Sequence, residues 1–332
     1  MNPLRLLHRA ALLVLLASPA IAALPPRMQE KPVRFHDPST PIKQGNTWWI
    51  FSTGNGIVTR HSKDLKNWTE GDPVFKTFPA WHREVVPSQK GHLWAPDIIL
   101  RDGRYYLYYS VSGWGKNTSA IGLTTNTTLD PTDPLYQWKD QGIVIRSKPE
   151  DPYNAIDPQL FADKDGSTWM VFGSFWKGIH LIELDPKTGL RHPKHDQVRQ
   201  LAWNETIEAA ALLKHDGYFY LFANWGLCCR GVNSTYEMRI GRSRKITGPY
   251  LDAKGSDMAT GGGTLFLKSE GDRIGPGHPS FIGENGGTRI FFHYYDGKRF
   301  GFATLGDLPI RWSKDGWPTR HFLFEGNIGI GS

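Results

Sequence analysis

The chain is poor in cysteine. Its 332 residues include only two, and these are neighbours, Cys228 and Cys229. No CxxC pair and no Cys/His spacing suited to zinc occurs, which excludes a zinc-built fold and a framework of disulfide staples. Adjacent Cα atoms stand ~3.8 Å apart, short of the ~4.4–6.8 Å usual across a disulfide. Two readings stay open for this pair: a vicinal ring that stiffens a loop, or two free buried thiols.

Long apolar runs are equally scarce. One occurs, Ala10 to Leu16, preceded by Arg5, His8 and Arg9 and followed by the small residues Ala20-Ile21-Ala22. That is the layout of a secretory signal peptide, too short to span a bilayer. The expectation is a leader over 1–22, cleavage near Ala22/Ala23, a secreted or periplasmic product, and one domain over 23–332. Blocks of one charge are missing too. The formal charge is +7; without Arg5 and Arg9 it is about +5, spread with no run of five basic residues, so nucleic acid is not an expected partner. Helical periodicity is absent from the rest of the chain, and no membrane span is expected.

What the sequence does have is a repeat. Five stretches share one plan of a polar anchor, a strand, a Gly-containing turn and an aromatic strand. They begin at "FHDPSTPIKQGNTWWIFSTG", "WAPDIILRDGRYYLYYSVSG", "NAIDPQLFADKDGSTW", "TIEAAALLKHDGYFYLFANWG" and "GPGHPSFIGENGGTRIFFHYYDGKRFG". The anchors are Asp37, Asp97, Asp157, Glu208 and His278, at intervals of 60, 60, 51 and 70 residues. Asp102-Gly103, Asp216-Gly217 and Asp296-Gly297 are hairpin dipeptides. Runs such as Tyr105 to Tyr109 suit half-buried strands. "EAAALL" is helical by propensity, but its place in the repeat makes it a strand. Such units are the mark of a propeller blade. The expected fold is all-β, a five-bladed β-propeller with its site at the central channel. A β-sandwich is the alternative, although it leaves five spaced anchors unexplained.

In a propeller the innermost strands converge. Asp37, Asp157 and Glu208 then share one polar pocket, where they repel one another and shift each other's pKa values. A single Asp-Pro is most simply a turn starter; three such carboxylates together point to chemistry. A protonated and an ionised carboxyl are what glycoside hydrolysis needs. Trp94, Trp114, Phe175, Trp176 and Trp225 suit stacking on sugar rings, with a share of them needed for blade cores.

The set "HDPS" at 36–39, "WAPD" at 94–97, "AIDP" at 155–158, "IEAAAL" at 207–212 and "GPGHPS" at 275–280 resembles glycoside hydrolase family 43. The likeness runs from about Phe35 to the C-terminal region. "SGWGKNTSAIGLTTNTTLDP" and "CCRGVNSTYEMRIGRSRKITGPY" resemble its arabinan-degrading members, most closely the endo-1,5-α-L-arabinanases. The resemblance implies an inverting hydrolase of arabinan and arabino-oligosaccharides, the side chains of pectin. It makes Asp37 the general base, Glu208 the general acid, and Asp157 the group that orients the acid and raises its pKa. Asp97 receives no proton-transfer role. His278 is implied to reach, through water, an ion in the channel, calcium or another, with no cofactor needed for the chemistry. Pro279-Ser280 follows His278, where the resemblance implies an Asn after that His. Trp94 and Trp114 become the leading stacking platforms, and His36, Asn154, Ser174 and Phe175 the further sugar contacts. Exo-acting arabinanases, arabinofuranosidases and xylosidases on the same fold remain alternatives, as does a propeller lectin that binds sugar without cleaving it.

Overall fold

The computed structural model describes residues 33–320 apart from residue 285; the expected leader at 1–22 lies outside the described residues. Five antiparallel sheets follow one another along the chain. The first contains β1 (Ile42–Gln44), β2 (Thr47–Ser52), β4 (Val58–Ser62) and β5 (Thr69–Glu70), while the short β3 (Gly54–Asn55) between them joins the next sheet. A single turn of helix, α1 (Trp81–Val85), leads into the second sheet, with β6 (His92–Arg101), β7 (Arg104–Val111), β8 (Ser119–Asn126) and β9 (Lys139–Ser147). The third holds β10 (Gln159–Ala162), β11 (Thr168–Phe172), β12 (Ile179–Leu184) and β13 (Arg199–Ala202). The fourth holds β14 (Glu208–His215), β15 (Tyr218–Trp225), β16 (Glu237–Ser243) and β17 (Thr264–Leu267). The last holds β18 (Arg273–Glu284), β19 (Gly287–Asp296), β20 (Phe302–Trp312) and β21 (Pro318–Arg320).

The first strands of successive sheets pack on one another, β6 on β10, β10 on β14 and β14 on β18. The ring closes where the amide of Phe35 donates to the carbonyl of Ala303 at 3.0 Å. The Ser280 hydroxyl meets the Ser39 carbonyl at 3.2 Å across the same seam. The fold is a five-bladed β-propeller, and the sandwich alternative falls. "EAAALL" is indeed a strand, inside β14.

No single core exists. Apolar side chains instead fill the spaces between consecutive blades. Tyr105, Leu107 and Tyr109 join the layer between the first two blades, whereas Tyr106 and Tyr108 join the layer between the second and third. This corrects the expectation of half-buried strands. With a neighbouring blade on each face, alternate residues of β7 are buried on both sides.

The repeat has a backbone signature that differs from the anchor list. Asp37, Ala95, Asp157, Ala209 and His278 all have positive φ, between 44° and 61°. Each sits where an innermost strand begins or bulges, and four of the five precede a proline. By this measure Ala95, not Asp97, is the counterpart of Asp37, and Glu208 stands one residue before its blade's equivalent point. The residue two places on has a stitching role. Asp97 accepts the Thr40 and Leu160 amides at 2.8 Å each, tying its strand to the blades on both sides. Gln159 accepts the Leu212 amide in the same way, at 2.8 Å.

Candidate active site

A cavity of about 1170 Å³ opens where the strand starts converge, lined by His36, Asp37, Trp94, Trp114, Asn154, Asp157, Ser174, Phe175, Trp176, Glu208 and His278, whereas Trp225, also a stacking candidate, packs against a blade core instead. Asp97 does not line it. The left-handed turn at Asp37, Ala95, Asp157, Ala209 and His278 is costly for a residue other than glycine. It is held by the bulge and the inter-blade hydrogen bonds.

Asp37 sits among hydroxyl and imidazole groups, and its own amide donates to His293 Nδ1 at 3.1 Å. Its Oδ2 meets His36 Nδ1 at 2.8 Å and accepts the Thr53 hydroxyl at 2.5 Å. That hydroxyl in turn accepts the Ala95 amide, which fixes its direction. His278 Nδ1 and His293 Nδ1 approach Oδ1 at 3.5 and 3.6 Å. Burial alone pushes the Asp37 carboxyl up, but the three histidines and the His36 hydrogen bond outweigh it and hold the group well below the usual carboxylate range. Asp37 is a carboxylate at any working pH.

Glu208 is built differently. Its Oε2 accepts the Ser174 hydroxyl at 2.8 Å, and its Oε1 accepts a very short hydrogen bond from the Tyr236 hydroxyl. Asp157 receives one donor, the Ala209 amide at 3.2 Å, while its own amide is held by Ser110. Burial raises both carboxyls. The charge on Glu208 adds to this for Asp157, that of Asp37 adds to it for both, and the two hydroxyls on Glu208 oppose it. Repulsion within the pair is mutual, so the two do not ionise together. The site therefore sets one ionised carboxylate opposite a carboxyl pair that retains a proton.

Several expected contacts have other partners. Ser174 spends its hydroxyl on Glu208 rather than on a free surface. Both nitrogens of His36 are engaged, Nδ1 by Asp37 and Nε2 by the Tyr295 hydroxyl at 3.0 Å. Asn154 is buried, with its Oδ1 accepting the Ser119 hydroxyl. Trp94 and Trp114 meet edge to face, centroids 6.3 Å apart at 71°, so they form a corner rather than one flat platform. Trp94 is pinned by its indole N–H on His92, whereas Trp114 is 77 % exposed. Phe175 and Trp176 lie on a turn with positive φ at both residues.

Sequence reasoning missed Thr53, Tyr236, Tyr295 and His293. None belongs to an anchor motif, and each lies on a second or third strand, or in a loop, whose register alone points it inward. The adjacent cysteines form a vicinal disulfide on the cavity wall. The Cys229 amide donates to Tyr295 Oη at 2.7 Å, and its Sγ lies 3.6 Å from His36 Nε2. The ring thus braces the histidine that braces Asp37.

His36, Asp37 and His293 bring ligand atoms within 4.8 Å of one another. This set does not fit direct calcium binding, which takes six to eight oxygens. Two donors are imidazoles, and the carboxylate already has its own partners. His278 stands beside this group, against Asp37.

No helix among the described residues is long and apolar enough to cross a membrane. Residues 30–318 match the family model for glycosyl hydrolases family 43. The chain is 45 % identical to the extracellular exo-α-(1→5)-L-arabinofuranosidase of Cellvibrio japonicus, over 93 % of this chain and 90 % of the relative. It is 41 % identical to the extracellular endo-α-(1→5)-L-arabinanase 1 of Bacillus subtilis, over 93 % and 94 %. The solved structure of Cellvibrio cellulosa α-L-arabinanase complexed with arabinohexaose superposes with a TM-score of 0.83 at 44 % identity, over 88 % of this chain and 96 % of that one. Fold, cavity and relatives agree: the chain belongs to glycosyl hydrolases family 43.

Proposed function

We propose that the protein is an exported, inverting endo-1,5-α-L-arabinanase that cleaves internal α-1,5-linked arabinofuranosyl bonds of arabinan. The observation that carries the reading is the electrostatic contrast across the cleft. Asp37 is held ionised by its histidines, whereas the Asp157–Glu208 pair is held partly protonated by burial and repulsion. Relatives named as arabinanase and arabinofuranosidase support the substrate class, and the word extracellular in both bacterial names supports export.

In this reading the glycosidic oxygen arrives beside Glu208 as an acceptor. It draws the pair's proton onto Glu208 and leaves the charge on Asp157. Glu208 gives that proton to the departing oxygen while Asp37 takes one from a water attacking the opposite face of the anomeric carbon. Inversion requires room for that water, a carboxyl separation of about 6.5–9.5 Å. Ser174 and Tyr236 then stabilise the Glu208 carboxylate left behind. An ion in the channel would be held through water, with His278 as the residue that reaches towards it, and would supply charge to the pocket rather than a proton-transfer step.

An exo-acting reading is favoured by the exo activity in the name of the Cellvibrio japonicus relative. The deciding experiment is a product time course on linear debranched arabinan, with Glu208→Ala alongside. An early spread of oligosaccharides, lost in the variant, supports the endo reading. Arabinose or one fixed oligomer from the outset replaces it with exo action. Sugar binding without cleavage of arabinan, xylan or aryl glycosides leaves a lectin.

A further inference from the structure

Beside the cleft, at the outer edge of the third blade, lies a second hollow of about 580 Å³, lined among others by Lys177, His180, Gln200, Trp203 and Ala259. Consecutive residues belong to the two cavities, since Trp176 lines the cleft and Lys177 lines the hollow. The indole N–H of Trp203 donates to the Trp176 carbonyl at 3.1 Å. That bond satisfies the ring's one polar group and fixes its orientation, yet Trp203 stays 38 % exposed. Its remaining surface is an oriented aromatic face.

His180 supplies the second element. It is 4 % exposed and packed against Tyr153 and Phe172, with centroids at 5.4 and 6.0 Å. Its Nδ1 lies 3.0 Å from the Gly178 carbonyl. A carbonyl only accepts, so Nδ1 carries the hydrogen and Nε2 is left as a lone-pair acceptor. No donor among the described residues meets that nitrogen, which leaves it open to a donor in the hollow that His180 lines. Gln200 adds an amide, oriented by its bond to the Lys177 carbonyl at 2.8 Å. No carboxylate lines the hollow, so a cation is not its natural occupant. An aromatic face beside an unfilled acceptor suits a neutral ring with one apolar face and hydroxyl donors on its edge.

We propose that this hollow is an outlying subsite for the polymer held in the cleft, in which a distal furanosyl residue lies on Trp203 and donates a hydroxyl to His180 Nε2. The proposal rests on the arabinan reading above. It commits to the same polymer chain because adjacent residues, Trp176 and Lys177, line the cleft and the hollow, and Trp203 is bonded to the first of them. A chain long enough to reach from the cleft to the hollow gains contacts that a short oligosaccharide cannot reach.

The test is the ratio of kcat/KM on linear arabinan to kcat/KM on arabinotriose, for the wild type, Trp203→Ala, Trp203→Phe and Ala259→Gln. One stacked ring is worth a factor of about three to ten. Trp203→Ala is expected to lower the ratio by that factor, mainly through KM on the polymer. Trp203→Phe, which keeps a ring, is expected to restore most of it. Ala259→Gln places a longer side chain in the hollow and is expected to lower the ratio without touching the tryptophan, which covers the case that Trp203→Ala fails to fold. A ratio within twofold of wild type in Ala259→Gln and in a folded Trp203→Ala overturns the subsite alone. A wild type that cleaves neither substrate overturns the arabinan reading and the subsite together.

Discussion

Asp37 and Glu208 are both buried carboxyls, yet their neighbours drive them apart. The residue-scale predictions concern that divergence. Replacing Glu208 by Gln or Asp37 by Asn removes a proton donor or acceptor, and kcat is expected to fall by about 10²–10⁴ in each. Stopped assays on polymeric substrate measure this. The pH profile separates the supporting groups. In the proposed mechanism Glu208 must be protonated, so activity is expected to be lost as pH rises through that group's raised pKa. Asp157→Asn removes a like charge, lowers the Glu208 pKa and is expected to move the alkaline limb of kcat to lower pH. A limb that stays in place would mean that Asp157 is neutral in the working enzyme. Tyr236→Phe and Ser174→Ala act in the opposite sense. Each removes a donor that favours the carboxylate, so the limb is expected to move up by about one pH unit. The three carboxylates were legible in the sequence because they occupy motifs that recur at blade spacing, two of them Asp-Pro. Their hydroxyl and imidazole partners were not, because Thr53, Tyr236 and His293 reach the site from strands and loops whose register only the folded blades define.

At the scale of a strand, Asp97 shows how a motif residue serves construction rather than chemistry. Its two oxygens hold amides of the neighbouring blades. Burial pushes its carboxyl up to about 6, with the amide hydrogen bonds opposing. The sign of the linkage follows. A carboxyl whose folded pKa exceeds its unfolded value of 3.8 binds more protons when folded. Its contribution to stability therefore declines as pH rises from about 4 to about 6 and is flat above that. Asp97→Asn is expected to abolish this slope. It also leaves one of the two amides without an acceptor, at a cost of about 1–3 kcal/mol. Urea midpoints measured across that pH range check both effects. The sequence spaced Asp97 like a catalytic anchor; only the bulge before it, with Ala95 at the left-handed turn, showed the offset of two residues.

For the molecule as a whole, the decisive feature is closure. The first blade is held against the last by the backbone bond from Phe35 to Ala303, and Phe35 is itself buried, edge-on to Trp68 at 5.7 Å and beneath Arg60. Phe35→Ala keeps the backbone bond but leaves a void at the seam, and a loss of about 3 kcal/mol is expected. Because Asp37 lies two residues away, the same variant is expected to lose activity at urea concentrations where the wild type keeps it. Parallel denaturation and activity curves test this. Loss of activity ahead of global unfolding would place the seam among the first parts of the ring to open.

The sequence by itself determined the number of blades, the strand character of "EAAALL" and the three carboxylates. These are carried by local pattern: alternation along a strand, turn dipeptides between strands, and a motif recurring at blade spacing. It did not determine how the blades share their cores, which anchor was out of step, or which hydroxyls and imidazoles surround each carboxyl. Those depend on contacts between residues far apart in the chain, Asp37 with His293 or Ser174 with Glu208, which exist only once the ring closes. The vicinal disulfide belongs to both levels. Adjacency in the sequence allowed the bond, and the folded loop placed it against His36, the partner of Asp37.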